Sequence, residues 1–425
     1  MTIEALYSIF EKHPSVQTDT RKLKTGDLFF ALKGPSFNGN AFAAQAIKAG
    51  ASYAIIDEEA FATGPETILV EDVLTTLQEL ALYHRKQFTI PFIAITGSNG
   101  KTTTKELIHA VLSSKFHTST TEGNLNNHIG IPLTILKVKK DAELAVIEMG
   151  ANHQQEIASY CRYTLPTHGV ITNCGKAHLE GFGGVEGVRK GKGELFDYLR
   201  LNGGTAFVMW DYDYLQTMSK GIKEIITYGT KDASLNGHAI KSEPFLEIKM
   251  DHASFPTPFQ TQLVGAYNLP NVLVAVTIGL YFKVPSEKIH AAIENYSPSN
   301  SRSQLVKWGT NQVILDAYNA NPSSMRLAIE NFAGINQPDK TLLLGAMAEL
   351  GDESLEEHKA IIELIQKYEW KNVVLVGGDF LKIKHPYLSF TNSTEAAKWV
   401  KEQNFQNANL LVKGSRSMKM EAVIS

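Results

Sequence analysis

The sequence predicts an α/β protein of three domains, and three observations carry that expectation. The chain has 425 residues, which at roughly 150 residues per domain allows about three compact units. Short apolar runs alternate with helical segments along most of it, the pattern of strands and helices wound into parallel sheets. The alternation restarts near Gln312, so the last stretch is an α/β unit of its own. Apolar residues make up 43% and charged residues 20%, with 32 Gly and 15 Pro, close to a soluble globular average and far from disordered, collagen-like or coiled-coil compositions.

The first unit spans residues 1–86. Asp27 to Leu32 reads as a strand, a loop with Gly and Asn follows, Ala41 to Ala49 reads as a helix and Tyr53 to Ile56 as a strand. The second unit, residues 87–300, opens at Pro91, where the short apolar strand Phe92 to Thr96 runs directly into a glycine-rich loop and a helix from Lys101. Further strands are expected at Leu144 to Ile147, Gly169 to Thr172 and Ala206 to Met209, with a helix between Val185 and Leu199. Ala253 to Phe282 has no charged residue, but three prolines interrupt it. Its continuous apolar part, Val272 to Phe282, is shorter than the ~20 residues a bilayer requires, so it reads as a buried helix. Ser297 to Ser301 has linker composition. The third unit, residues 301–425, runs strand 313–315, helix after Pro322, strand 342–344, helix 355–365, strand 373–376, helix, strand 410–412, which is Rossmann-like.

Charge and cysteine usage narrow the function. With 41 basic against 44 acidic residues and a net charge of −3, the chain lacks the field that general nucleic-acid binding needs. Cys161 and Cys174 are the only cysteines, so no disulfide framework is expected, in keeping with a reducing cytoplasm. The start, with Glu4 and no basic stretch ahead of an apolar core, does not read as a secretory signal. No membrane insertion is expected.

The strongest local signal is Thr96-Gly97-Ser98-Asn99-Gly100-Lys101-Thr102-Thr103-Thr104. Glycines let the backbone wrap so that successive N–H groups converge, the helix N-terminus adds its positive end, and Lys101 brings a point charge to the β- and γ-phosphates. A nucleoside triphosphate is the expected ligand. The longer G-x-x-x-x-G-K-[ST] pattern would need glycine where Ile95 stands. Glu148 ends a strand beside this loop, where it can hold Mg²⁺ with the Thr102 hydroxyl; the plainer alternative is a solvated glutamate. His178, in Asn173-Cys174-Gly175-Lys176-Ala177-His178, follows a strand at the same sheet edge. His358, in an acidic run, reads as a surface histidine.

Taken together, TGSNGKTTT, Glu122 to Asn127, Glu148-Met149-Gly150-Ala151-Asn152, Asn173 to His178, Lys190 to Glu194, Tyr267 to Asn271 and Asp316 to Pro322 resemble the Mur ligases in order and spacing. The likeness covers essentially the whole chain. Asp19-Thr20-Arg21, the run Gly26 to Gly34 and the ending Leu411 to Met418 point to the branch that adds a dipeptide. The resemblance implies a central P-loop parallel sheet with helices on both faces, between a small N-terminal domain and a C-terminal one. It implies an ATP-dependent ligase that phosphorylates the terminal carboxylate of UDP-MurNAc-tripeptide and joins D-Ala-D-Ala through an acyl phosphate, in cytoplasmic peptidoglycan precursor synthesis, acting as a monomer.

It also implies site residues. Gly97, Ser98, Asn99, Gly100, Lys101, Thr102 and Thr103 would take the triphosphate, Asn268 and Asn271 the adenine, Arg302 the γ-phosphate and Asp316 the ribose. Two Mg²⁺ ions would sit on Thr102 and Glu148 and on His178 and a carbamylated Lys192, making Lys101, His178 and Lys192 the catalytic set. Thr20, Arg21, Lys33, Asn124, Asn126, Asn127 and Asn319 would face substrate. Read without the family, Lys192 is a solvated surface charge, Asn268 and Asn271 are helix caps, Arg302 and Asp316 are a surface pair, and Thr20, Arg21 and Lys33 are loop residues. The family's usual histidine before Asn268 is Tyr267. Two other functions fit the loop: a folylpolyglutamate-type ligase adding a different amino acid, and a nucleotide-hydrolysing switch. A ligase needs both co-substrates for ATP turnover, whereas a switch hydrolyses slowly alone.

Overall fold

The computed structural model describes residues 1–299 and 301–425; Asn300, at the expected second boundary, lies outside the described residues. Three main sheets are present. In the first, Val16–Gln17, Leu28–Phe30, Tyr53–Ile56 and Thr67–Leu69 run parallel in that order. The expected strand at 27–32 shortens to Leu28–Phe30, and the expected helix at 41–49 becomes a 3₁₀ turn, Gly39–Phe42, followed by Ala43–Lys48.

The central sheet has nine strands. Phe92–Thr96 lies between His168–Ile171 and Leu144–Glu148, and the sheet stays parallel from Thr118–Thr120 out to Leu235–Lys241. Every residue of Phe92–Thr96, Leu144–Glu148 and Thr205–Met209 is buried, as a parallel sheet covered on both faces requires. Lys101–Ser113 and Leu269–Tyr281 pack together as one helical layer. Val185–Asn202, packed on Glu156–Thr164 and on three strands, belongs to the other. Leu269–Tyr281 buries ten residues, which bears out its reading as a core helix.

The third sheet orders its strands Gln304–Trp308, Asn311–Asp316, Asn409–Lys413, Lys340–Gly345, Asn372–Val376, Leu388–Phe390, with only the first pair antiparallel. Its first strand and the outer strands of the central sheet, from Glu224–Gly229 to Phe259–Gln260, were not expected from sequence. They are short or partly exposed strands whose apolar signal is weak.

His358 corrects the surface reading: it is fully buried. Its Nε2 accepts from Met347 N (3.0 Å), its Nδ1 reaches Ser354 O (2.7 Å), and its ring meets Phe380 edge-on. A histidine little more than one turn into a helix that opens among acidic residues looks exposed until its face is known. Burial lowers the pKa of His84, His109, His168 and His358 alike. For His168, among Phe207, Tyr281 and Phe282, it brings the value down to about 4. The unfolded chain then binds a proton that the folded chain refuses, so stability falls as pH drops from about 6.5 toward that value, by roughly 3 kcal/mol from this residue. His168→Phe is expected to flatten the fall of melting temperature with acid over that window; parallel slopes for both proteins would contradict it.

Candidate active site

The phosphate loop is held from two sides. From the neighbouring strand end, Ser98 N donates to Asn173 O (2.9 Å), Asn99 N to Asn173 Oδ1 (3.1 Å), Ser98 Oγ to Gly175 O (3.0 Å) and Thr172 Oγ1 to Asn99 O (2.6 Å). Gly97 has φ +141°, and a Cβ there would lie 2.0 Å from Thr172 Oγ1. Gly100 has φ +79°, and its Cβ would lie 2.6 Å from Asn271 Oδ1. That oxygen accepts from Thr104 Oγ1 (3.0 Å), while Asn271 Nδ2 donates to Asn268 Oδ1 (2.9 Å). Neither asparagine caps the helix Leu269–Tyr281 by its side chain, which corrects the capping alternative; they brace it against the loop.

Lys101 Nζ folds back to Gly97 O (2.6 Å) and Ser98 O (3.3 Å). Burial lowers its pKa, Glu148 opposes that, and Arg302 adds to it. Glu148 is 1% exposed. Its Oε1 accepts from Asn126 Nδ2 (2.7 Å) and Thr102 Oγ1 (3.2 Å), whereas Oε2 is buried without a hydrogen-bond partner. A buried, unpaired carboxylate oxygen beside a threonine hydroxyl is what a hard cation needs, so these residues fit Mg²⁺. No cluster of three or more His, Cys, Asp or Glu able to hold a metal occurs among the described residues, so phosphate oxygens and water would complete the shell.

Lys192 is 1% exposed, not a solvated surface charge. Its Nζ donates to Ala151 O (2.9 Å) and lies 4.8 Å from the Phe182 ring centre. Burial first, then the charge of Lys101, hold its pKa well below that of an ordinary lysine. Glu194, one helical position pair on, caps the N-terminus of Glu156–Thr164 through Gln155 N (2.5 Å) and Ala158 N (2.9 Å).

The C-terminal domain sits over this edge. A cleft of about 920 Å³ is lined by Ser98 to Thr103, Glu148 and His178 from the central domain and by Arg302, Asp316, Asn319 and Lys413 from the other. Asn124, Asn126, Asn127, Asn268 and Asn271 line it too. Asn321 Nδ2 donates to Asn99 Oδ1 (2.8 Å), Lys176 N to Ser323 Oγ (3.0 Å), and Tyr267 OH to Ser303 Oγ (2.9 Å). Lys176 also pairs with Glu357. His178 Nδ1 lies 2.5 Å from Glu349 Oε2, close in distance but off a good hydrogen-bond direction. His178 holds the Glu349 carboxyl below its usual range.

Arg302 and Asp316 do not pair with each other, which corrects the surface-pair alternative. Asp316 Oδ2 meets the buried Lys413 Nζ at 2.5 Å and its Oδ1 accepts from Ser303 N (3.0 Å), while Arg302 stacks 3.6 Å from the Tyr318 ring centre. Asn127 Oδ1 accepts from Gly130 N (2.8 Å) and Ile129 N (3.2 Å). Thr20, Arg21 and Lys33 lie in the N-terminal domain and do not line the cleft. Arg21 binds Asp19 through two nitrogens (2.9 and 2.8 Å), and Lys33 meets Asp57 (3.1 Å) and Glu58 (3.4 Å). Glu349, Tyr318 and Lys413 had no role expected of them. Tyr318 and Lys413 lie in segments that carry the family resemblance; Glu349 carries no spacing signal.

Seating one α/β domain over another domain's phosphate loop suits a reaction that activates a group with a nucleotide and keeps water from the product; fold and cleft define a multidomain P-loop enzyme. The chain matches the family models described as Mur ligase family, catalytic domain (residues 14–85), Mur ligase middle domain (95–279) and Mur ligase, glutamate ligase domain (301–416). UDP-N-acetylmuramoyl-tripeptide--D-alanyl-D-alanine ligase of Bacillus subtilis is 35% identical over 96% of this chain and 92% of its own length. The Escherichia coli protein of the same name gives the same identity and coverage. A crystal structure of MurF from Acinetobacter baumannii superposes with a TM-score of 0.89 at 30% identity, covering 99% of this chain and 97% of that one. MurF ligase from Thermotoga maritima in complex with ADP gives 0.84 at 26%, covering 96% of each. The chain belongs to the Mur ligase family.

The glycine at position 100 tests the loop geometry. Gly100→Ala must accommodate both a left-handed backbone and a Cβ pressed on Asn271, a strain of about 1–3 kcal/mol. A lower melting temperature with ADP binding weakened more than tenfold in calorimetry is expected; normal binding would contradict the clamp.

Proposed function

We propose that this protein is the ATP-dependent ligase that joins D-alanyl-D-alanine to UDP-N-acetylmuramoyl-tripeptide in peptidoglycan precursor synthesis. The observation that carries this is kinship along 96% of the chain with ligases of that name, resting on a cleft whose two walls come from different domains.

The reaction has two steps. A carboxylate oxygen of the tripeptide attacks the γ-phosphorus, the bond to the bridging oxygen of ADP breaks, and an acyl phosphate forms. The amine of D-Ala-D-Ala then attacks the acyl carbon, phosphate leaves with the C–O electrons, and the nitrogen loses a proton. Such phosphoryl transfer depends on positioning and charge neutralisation. Loop amides from Gly97 to Thr103 cradle the phosphates, Lys101 neutralises the transferring group and Arg302 meets it from the opposite domain. Asn268 and Asn271 frame the adenine, with Tyr267 in the family histidine's place, and Asp316 takes the ribose. Thr102 and Glu148 would hold one Mg²⁺, and His178 with a carbamylated Lys192 would hold a second. Bound there, the two ions offset the repulsion between triphosphate and carboxylate. The low pKa of Lys192 supports its carbamate, because the neutral amine is the form that adds CO₂.

Residues 1–86 bind the UDP-MurNAc-peptide through Thr20, Arg21 and Lys33, residues 87–300 carry the ATPase, and residues 301–425 complete the ATP and D-Ala-D-Ala sites. Asn124, Asn127 and Asn319 face substrate. The ligase works in the cytoplasm as a monomer. No helix among the described residues is long and apolar enough to cross a membrane.

The direct assay supplies ATP, Mg²⁺, UDP-MurNAc-tripeptide and D-Ala-D-Ala. Phosphate release is expected only with both co-substrates and one ligated nucleotide per phosphate. Faster turnover with a single amino acid on UDP-MurNAc-dipeptide would overturn the assignment, and slow hydrolysis without either would favour a switch.

For Lys192, activity is expected to fall on removal of dissolved CO₂ and return with bicarbonate. Lys192→Ala is expected to lose at least a hundredfold in kcat. Full activity of Lys192→Ala would contradict the carbamate.

A further inference from the structure

We propose that Asn126 is a positioning residue for the cation at Glu148; this rests on the reading of Glu148 and Thr102 as a cation site. Glu148 is anchored at its backbone, where its N–H donates to Thr121 Oγ1 (3.0 Å), but its carboxylate receives both hydrogen bonds on one oxygen, Oε1. One donor is Thr102, in the first turn of the helix that follows the phosphate loop. The other, shorter one is Asn126 Nδ2 at 2.7 Å. By occupying Oε1, Asn126 fixes the rotation of the carboxylate and leaves the buried Oε2 as the coordinating atom. An amide suits this place because it donates without adding charge that would compete for the cation.

Asn126 is itself held by the turn it serves. Gly150 N donates to Asn126 O (2.7 Å), and a Cβ on Gly150 would stand 2.9 Å from Asn126 Cγ. The segment Asn124–Asn127 and the turn Glu148–Gly150 interlock, so any side chain at position 150 would push the amide off the carboxylate. The family resemblance had put Asn126 against substrate; its contact with Glu148 gives it this other task.

The test uses the full chain and follows ADP binding by calorimetry across a Mg²⁺ titration, with Mn²⁺ and spin resonance as a second reading of the cation. Asn126→Ala is expected to raise the half-saturating Mg²⁺ concentration about 10- to 100-fold, while metal-free ADP binding and metal-free UDP-MurNAc-tripeptide binding stay unchanged. Gly150→Ala, which leaves the asparagine present but displaced, is expected to shift the same titration in the same direction. An unchanged cation requirement in Asn126→Ala, or a loss of tripeptide affinity without metal, would overturn the proposal. Glu148→Gln separates it from the underlying reading: if that variant also keeps its cation dependence, the cation site itself is wrong; if it alone loses it, only the role of Asn126 is.

Discussion

The bend of Gly97 to Gly100 is the constraint to which the other parts of the site are fitted. Backbone amides can converge on a phosphate only if the chain turns through conformations that side chains resist. Here the turn is also compressed, with Thr172 against Gly97 and Asn271 against Gly100. Those neighbours come from different elements: Thr172 follows the strand next to the loop's own, and Asn271 lies in the first turn of the buried helix Leu269–Tyr281. The sheet order, the helix packing and the loop conformation therefore specify one another. The strand Phe92–Thr96 sits between two parallel neighbours, so their carboxyl ends deliver Glu148 on one side and Asn173 to His178 on the other, the place where ligands bind open α/β sheets.

Electrostatics follows from that geometry. Lys101 lies within reach of both the buried carboxylate of Glu148 and the charge of Arg302, Lys192 feels the charge of Lys101, and burial and these other cations pull both lysines toward neutrality. Such a site favours polyanions, and burial with a neighbouring cation lowers the pKa of Lys192. The C-terminal domain adds polar contacts to the central one: Asn321 to Asn99, Ser323 to Lys176, Glu349 to His178 and Glu357 to Lys176. Lys176 is half exposed, and ion pairs of this kind are each worth about 0–1 kcal/mol. Weak polar contacts of this kind can be broken and remade as a cleft opens to admit a large nucleotide-linked substrate and shuts over a water-sensitive product.

Much of this was legible in the chain. The strand, loop and helix from Phe92 to Ser113 lie where the residues indicated because local chemistry alone demands them. Glu148 was readable as a strand-end acid beside that loop. The burial of Lys192 was not, because a lysine two positions before an acid on a helix looks solvated until Phe182 and Ala151 fold over it. His358 was misread for the same reason. Pairs between strands distant in sequence, such as Asp316 with Lys413 within the C-terminal sheet, are about a hundred residues apart and carry no periodic signal. The outer strands beyond Thr205–Met209 were missed because half-exposed strands lack the apolar run by which central ones are recognised.

The convergence of cations on a clamped phosphate loop has one chemical consequence that sets this enzyme apart from a nucleotide hydrolase: the substrate carboxylate, not water, must attack the γ-phosphorus. Turnover with UDP-MurNAc-tripeptide labelled with ¹⁸O in its terminal carboxylate reads this directly by mass spectrometry of the released phosphate. One labelled oxygen is expected in each phosphate formed together with ligated product. Unlabelled phosphate released at the rate of ligation would mean that no acyl phosphate forms and would contradict the mechanism.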